Sequence, residues 1–175
     1  KTYFFMIPIS DRLMSLLGII LISLFTSLFV FFIIWSTIDF PFQDDVDYIR
    51  FIYLIKTEGG NFSNYLVLFF QLANDHFVLV LRLIFIVFYS IFGYLPIDGL
   101  IYFNIVQLLL IQYLFYLEFK KLKLNILFFL PVIVLNFQPQ YFEVSTWASG
   151  GLCHITTSLL ILLAVKLSNT RKYFL

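Results

Sequence analysis

The chain has 175 residues, of which 62% are hydrophobic, 21% aromatic and only 12% charged, and its net charge is +1. A water-soluble domain is about 45–50% apolar and about 25% charged, so this composition excludes disorder and nucleic-acid binding and assigns the chain to a bilayer. The single cysteine, Cys153, excludes an intrachain disulfide, and no zinc-type Cys/His spacing occurs.

Lys1 stands where an initiator methionine would, and Tyr173-Phe174-Leu175 follows soon after an apolar segment, so the chain reads as an N-terminal piece of a longer protein. Segment 13–38 (Leu13–Ile38) has no charge before Asp39 and matches the roughly 20 apolar residues that a crossing helix needs. It is too long for a signal-peptide core, and no small-residue cleavage site follows. Segment 39–96 reads as a large extracytoplasmic loop of interfacial helices. Pro41 disfavours helix at Phe40 and ends the first span there. Asp44 and Asp45 open a helix over Asp45–Lys56 with an apolar stripe of Val46, Ile49, Ile52 and Tyr53. Gly59-Gly60-Asn61 breaks it, Phe62–Ala73 forms a second helix, and Asn74-Asp75-His76 makes a polar corner before a third, Phe77–Tyr94. Spans are expected over 97–117, 122–137 (short, and containing Pro131) and 149–167, with a second outer loop at 138–148.

The basic residues choose the topology. With Lys1 and Arg12 cytoplasmic, a crossing by Phe77–Tyr94 would put Lys120, Lys121, Lys123, Lys166, Arg171 and Lys172 outside, against the positive-inside rule. If Phe77–Tyr94 lies at the outer interface instead, eight of the eleven basic residues are cytoplasmic. The acids sort the other way: only Asp11 and Glu118 then lie inside. The expected fold is an all-α polytopic membrane protein with four transmembrane helices and both ends cytoplasmic.

Nearly every group able to do chemistry then gathers on the outer face. Asp44 and Asp45 either cap a helix N-terminus or supply a general base or a divalent-cation ligand. Asp75 and His76 are a helix-start corner, or His76 contacts a phosphate or sugar hydroxyl. Arg82 either snorkels to headgroups or holds a lipid phosphate. Glu143 sits in the short outer loop, where ionisable groups near membrane depth suggest function. Tyr141 and Trp147 suit an interfacial aromatic belt. Ser149-Gly150-Gly151 allows a turn or close packing, with Cys153 and His154 one turn further on and able to line the same cavity.

The order of these elements resembles the N-terminal part of the GT-C-type membrane glycosyltransferases. The resemblance rests on a first span followed by Phe42-Gln-Asp-Asp-Val-Asp-Tyr48, interfacial helices, Asn74-Asp-His-Phe77, Leu81-Arg-Leu83, Phe92-Gly-Tyr-Leu-Pro96, a span ending in Lys120-Lys-Leu-Lys123, and the stretch Gln140-Tyr-Phe-Glu-Val-Ser-Thr-Trp147. It implies an all-helical enzyme, in a bacterial plasma membrane, that transfers a sugar with inversion from a polyprenyl-phosphate carrier to an acceptor hydroxyl outside the cytoplasm. The base role falls to Asp44 or Asp45, and His76, Arg82, Glu143 and Trp147 would line the substrate and its phosphate. In some members the first-loop acid ligates a divalent cation, Mg or Mn, a role that here would fall to Asp45 with Glu143. Members have about twice as many spans, which also marks this chain as a portion of an enzyme. A transporter or channel segment would instead carry paired charges within its spans, which are nearly free of them here. A non-catalytic assembly subunit would use the acids only as caps.

Overall fold

The structure, a computed structural model, describes residues 10–58, 61–71, 78–138 and 142–171, with the side chains of all but 58, 142, 143 and 169–171. Among these residues every regular element is helical. They are α1 (Asp11–Ser36), α2 (Asp45–Glu58), α3 (Phe62–Phe70), α4 (Leu79–Phe92), α5 (Ile97–Lys121), a 3-10 turn (Ile126–Phe129) running into α6 (Leu130–Asn136), α7 (Phe142–Thr146), α8 (Ala148–Gly151), a π-helical turn (Leu152–Thr156) and α9 (Thr157–Arg171).

Three stretches are long and apolar enough to cross a membrane: Asp11–Ser36, Ile97–Lys121 and Ala148–Ser168. At about 1.5 Å per residue each spans the roughly 30 Å hydrocarbon core. α1 buries only Gly18, Phe29 and Ile33 against the rest of the chain. Its other faces remain apolar, which suits contact with lipid rather than water. The chain is an all-α membrane protein.

Side-chain contacts give the helix directions. Asn125 Nδ2 donates to the Asp11 carbonyl at 3.3 Å and to Ser15 Oγ at 3.0 Å, while the rings of Phe29 and Phe137 meet at 5.1 Å further along. The segment from Asn125 to Phe137 therefore runs parallel to α1. α5 opposes both: the Phe119 ring lies 5.1 Å from Phe129, and Gln112 Oε1 accepts from Asn136 Nδ2 at 2.8 Å. The last helix runs parallel to α5, with Asn104 Nδ2 donating to the Ala148 carbonyl at 3.1 Å and Ile111 clustering with Ile155 and Leu159 deeper in. The four walls of the bundle thus alternate in direction.

Several expectations change in detail. α1 stops at Ser36, two residues before the expected end of the first span at Ile38, where Thr37 turns extended and its amide and hydroxyl both donate to the Ile33 carbonyl. The 122–137 segment is not one long helix. Asn125 caps a four-residue 3-10 turn, and a seven-residue helix follows with Pro131 in its first turn. Together they rise roughly 18 Å, well short of the hydrocarbon core. The buried side of α2 keeps the predicted stripe only at Ile52, with Ile49 half-buried. Val46 and Tyr53 face outward, and Asp45, Tyr48, Phe51 and Ile52 turn inward, because Tyr48 stacks on Phe85 of α4 at 4.6 Å and takes the helix with it. α3 ends at Phe70, and α4 ends at Gly93, whose φ of 77° suits a helix stop.

Candidate functional site

The turn after α1 builds the site. The Asp45 amide donates to the Phe42 carbonyl at 3.0 Å, and the Phe42 amide returns a bond to Asp45 Oδ2 at 3.0 Å. Gln43 takes a left-handed φ of 48° to close this loop. The other oxygen, Asp45 Oδ1, accepts from the Ser149 amide at 2.7 Å. Asp45 is completely buried. It therefore clasps the first loop to the start of the last helix, satisfying an amide in the first turn of α8 that has no partner inside that helix.

This settles the local geometry of an acidic pair that the sequence leaves ambiguous. With Asp45 turned inward, Asp44 turns outward. It lines a cavity of about 420 Å³ together with Asp47, Tyr48, Trp147, Ser149 and His154. The floor is made by close packing at Gly150, where a Cβ would meet the Trp147 ring at 2.4 Å. The Trp147 ring stands edge-on to Phe42 at 6.2 Å. Trp147 Nε1 and Ser149 Oγ, atoms of two of these residues, are buried and have no partner among the described residues. Burial pushes the Tyr48 phenol well above its ordinary value, Cys153 adding to the rise and Arg82 opposing it, so Tyr48 stays neutral.

His154 lies in the π-turn and lines a second cavity as well, of about 680 Å³. That cavity is walled by Leu108, Ile111 and Phe115 of α5 and by Ile161 of α9, with Asn136, Ser145 and Ser158 along its polar edge. π-turns in α-helices are frequent at functional sites.

Arg82 is not turned out to the protein surface. It is buried, and its Nη1 donates to the Phe69 carbonyl at 2.7 Å and to the Gln71 carbonyl. Its Cζ sits 4.9 Å from the centre of the Phe51 ring. The guanidinium thus closes the C-terminal end of α3 and braces it on α2 and α4. Hydrogen bonds to a charged group each contribute about 1.5–3 kcal/mol. Arg82→Leu is expected to raise amide hydrogen exchange at Leu68–Gln71 by roughly tenfold or more, the effect of losing ~1.5 kcal/mol. Unchanged exchange there would refute the brace.

Asp75, His76 and the Glu143 side chain lie outside the described residues. A divalent cation needs several oxygen ligands. Asp45 has both carboxylate oxygens on backbone amides, and among the described residues no three His, Cys, Asp or Glu side chains come together. The expected Asp45–Glu143 cation pair includes a side chain outside the described residues.

Asp47 and Thr157 join the cavity wall alongside Ser149, which the sequence offers only as part of a turn or close-packing stretch. Asp47 was legible as the third acid of one turn; Thr157 carried no signal beyond being polar at the start of a span. Three buried amides of α5, Asn104, Gln107 and Gln112, also went unremarked, although uncharged polar residues inside a span are visible in any hydropathy reading.

No family model, curated protein or solved structure matches the chain. What the fold and the cavity define is a class: a helical membrane protein with an acid-lined cavity beside the turn that follows its first crossing helix.

Proposed function

We propose that the chain forms part of a membrane glycosyltransferase that moves a sugar from a polyprenyl-phosphate carrier to an acceptor hydroxyl on the extracytoplasmic face, with inversion. Asp44 acts as the general base. Its carboxylate lines a cavity large enough for a sugar ring and also walled by Trp147, Ser149 and His154, and that combination is what supports the reading. A base must be within hydrogen-bond reach of the hydroxyl it activates, and Asp44, unlike Asp45, is free to meet one. The apolar cavity that shares His154 offers room for part of a prenyl chain beside the reacting end.

The reading needs 39–96 to stay on one side. Asp39 Oδ1 accepts from the Ile97 amide at 3.1 Å and from the Asp98 amide at 3.4 Å. The loop therefore leaves and rejoins the bundle at the same end. This supports four crossings with both termini cytoplasmic, the short Ile126–Asn136 segment crossing where the local bilayer is thin or protein covers it. Two of the three buried amides of α5, Asn104 and Gln112, each bond a neighbouring helix through one of their side-chain atoms, as interhelical polar groups in membranes do.

The test is transfer by the protein in membranes supplied with a panel of polyprenyl-phosphate sugars. Asp44→Asn is expected to lower transfer at least ~100-fold, the usual contribution of a general base. Undiminished transfer by that variant would remove Asp44 from catalysis. In the same membranes, with Cys153 replaced, a cysteine at Gln43 should react with an impermeant thiol reagent applied from outside, and one at Lys121 should not. Labelling of both would mean that α4 crosses, and the outer site would be lost.

A further inference from the structure

The end of the bundle opposite the Asp44 cavity gathers basic residues. Asn125 Nδ2 donates to the Asp11 carbonyl at 3.3 Å. That bond ties the turn after α5 to the first turn of α1 and brings Lys120, Lys121 and Lys123 to the level of Arg12. All four are exposed. Lys121 pairs with Glu118 of its own helix, whereas Lys120, Lys123 and Arg12 have no ion pair among the described residues. Orienting a chain in a membrane needs bases near this end, but not at any one backbone position. Lys123 nevertheless takes a left-handed φ of 55°, just after the C-cap Leu122, where helices usually place glycine or asparagine. Strained backbone of this kind clusters at ligand contacts.

A cleft begins just inside this turn. It encloses about 380 Å³ between α1 and α5, walled by Ile19, Ile22, Tyr116, Ile126, Phe129 and Ile133 among others. Ile19 and Tyr113, both on its wall, are more than half exposed, so it opens sideways to whatever surrounds the bundle. Tyr116 lies four residues before Lys120, and Ile19 seven after Arg12. The near end of the cleft is thus about 6–10 Å along the helices from the bases. A lipid headgroup region is similarly deep, roughly 5–8 Å on each side of the hydrocarbon core.

We infer that the Lys120–Lys123 turn and this cleft form one binding site for an anionic glycerophospholipid, its phosphate held by Lys120, Lys123 and Arg12 and one acyl chain lying in the cleft. Charge selects the occupant. A basic rim above a largely apolar slot complements an anionic head on an apolar chain, and a zwitterionic lipid gains less from the same rim. The bound lipid also covers one flank of Ile126–Asn136, which is too short to match the hydrocarbon core by its own length. This site stands at the other end of the bundle from Asp44 and is independent of the chemistry proposed there.

The test is native mass spectrometry of the full chain in micelles doped with phosphatidylglycerol or with phosphatidylcholine of the same acyl chains, with the unfolding midpoint of every variant measured alongside. One phosphatidylglycerol is expected to stay bound, at least ~10-fold tighter than phosphatidylcholine. Lys120→Gln and Arg12→Gln should each weaken it roughly fivefold. Lys123→Gly should weaken it as much while raising the midpoint in zwitterionic lipid, because glycine adopts the left-handed backbone at no steric cost. A lysine with only a structural role would not move the two readouts in opposite directions. Ser23 is exposed on the cleft wall, and Ser23→Phe should lower binding at least ~5-fold by filling the slot with no change of charge, as losing the contacts of one or two buried methylenes would. Ile19→Trp serves the same purpose should Ser23→Phe not fold. Arg50→Gln, on the exposed side of α2 at the other end, should change nothing, and millimolar glycerol 3-phosphate should not displace the lipid. Equal affinity for the two lipids would overturn the site, as would binding indifferent to Lys123→Gly or to filling the cleft. A loss from Arg50→Gln matching that from Lys120→Gln would reduce the effect to bulk charge, and displacement by glycerol 3-phosphate would reduce it to a phosphate site without a chain; either result would overturn the assignment.

Discussion

Asp45→Ala is expected to unfold the protein at a markedly lower temperature than Asp44→Asn, although the two carboxylates are neighbours in sequence. Asp45 is completely buried and accepts from two backbone amides, Phe42 at 3.0 Å and Ser149 at 2.7 Å. Alanine would leave both donors without this acceptor, at a cost of ~1–3 kcal/mol each, so the loss is on the order of 2–6 kcal/mol. For a chain of this length that corresponds to a fall in midpoint of roughly 5–20 °C. Asp45→Asn keeps one acceptor oxygen and should fall between alanine and the parent. Asp44, partly exposed on the cavity wall, should shift stability by less than ~0.5 kcal/mol when changed to Asn while losing transfer. Thermal unfolding in one detergent, alongside the transfer assay, separates the pair. Equal midpoints for Asp45→Ala and the parent would mean that the clasp carries no weight.

The second large effect is expected at Gly18. A Cβ built there would lie 2.8 Å from the Leu127 amide nitrogen and 2.9 Å from its Cα, with Ile126 Cγ2 at 3.1 Å. Two of these three atoms are backbone, so no rotamer change can clear them. Helix propensity taken alone predicts that Gly18→Ala stabilises α1 by up to about 1 kcal/mol. Overpacking typically costs about 1–3 kcal/mol and here should outweigh propensity, because the 3-10 turn must move away from α1. That movement would strain the bonds of Asn125 to Asp11 and Ser15. Gly18→Leu should be worse than Gly18→Ala. A higher unfolding midpoint for Gly18→Ala would show that the two segments are not in close contact.

The sequence reading reached the three long helices within a few residues, and for a physical reason. The first two apolar runs are bounded by charges that cannot sit in hydrocarbon unpaired, Asp11 and Asp39 for one and the Lys120-Lys121 pair for the other, and Pro96 marks the start of the second helix. It reached the start of α2 through Asp45, and it grouped Asp44, Trp147 and His154 near one face. What stayed illegible depends on distant partners. The amide that binds Asp45 belongs to Ser149, 104 residues away, and no local pattern distinguishes a carboxylate that finds such a partner from one that stays free. The inward side of α2 was only partly legible because exposed Val46 and Tyr53 stand among the polar residues of its outer side, Asp47, Arg50 and Lys56, while Tyr48 turns inward onto Phe85. Arg82 is likewise ambiguous in sequence, since one guanidinium suits a headgroup, a phosphate or the carbonyl end of a helix equally well. The π-turn and the 3-10 start at Asn125 leave no compositional trace.

The parallel pairing of α1 with the segment after Asn125 also has a bearing on biosynthesis. Ser15 and its partner Asn125 are 110 residues apart. At translation rates of about 5–20 residues per second, α1 leaves the ribosome roughly 5–20 s before the segment that packs on it. During that wait α1 must persist in lipid alone, which its uncharged apolar run allows. In the four-crossing reading proposed above, the late segment, too short to hold a place in the bilayer by its own length, inserts beside a helix already waiting there. A single nascent-chain experiment, arresting translation before and after residues 125–137 emerge and cross-linking α1 to lipid or to protein, would time the exchange of its neighbours.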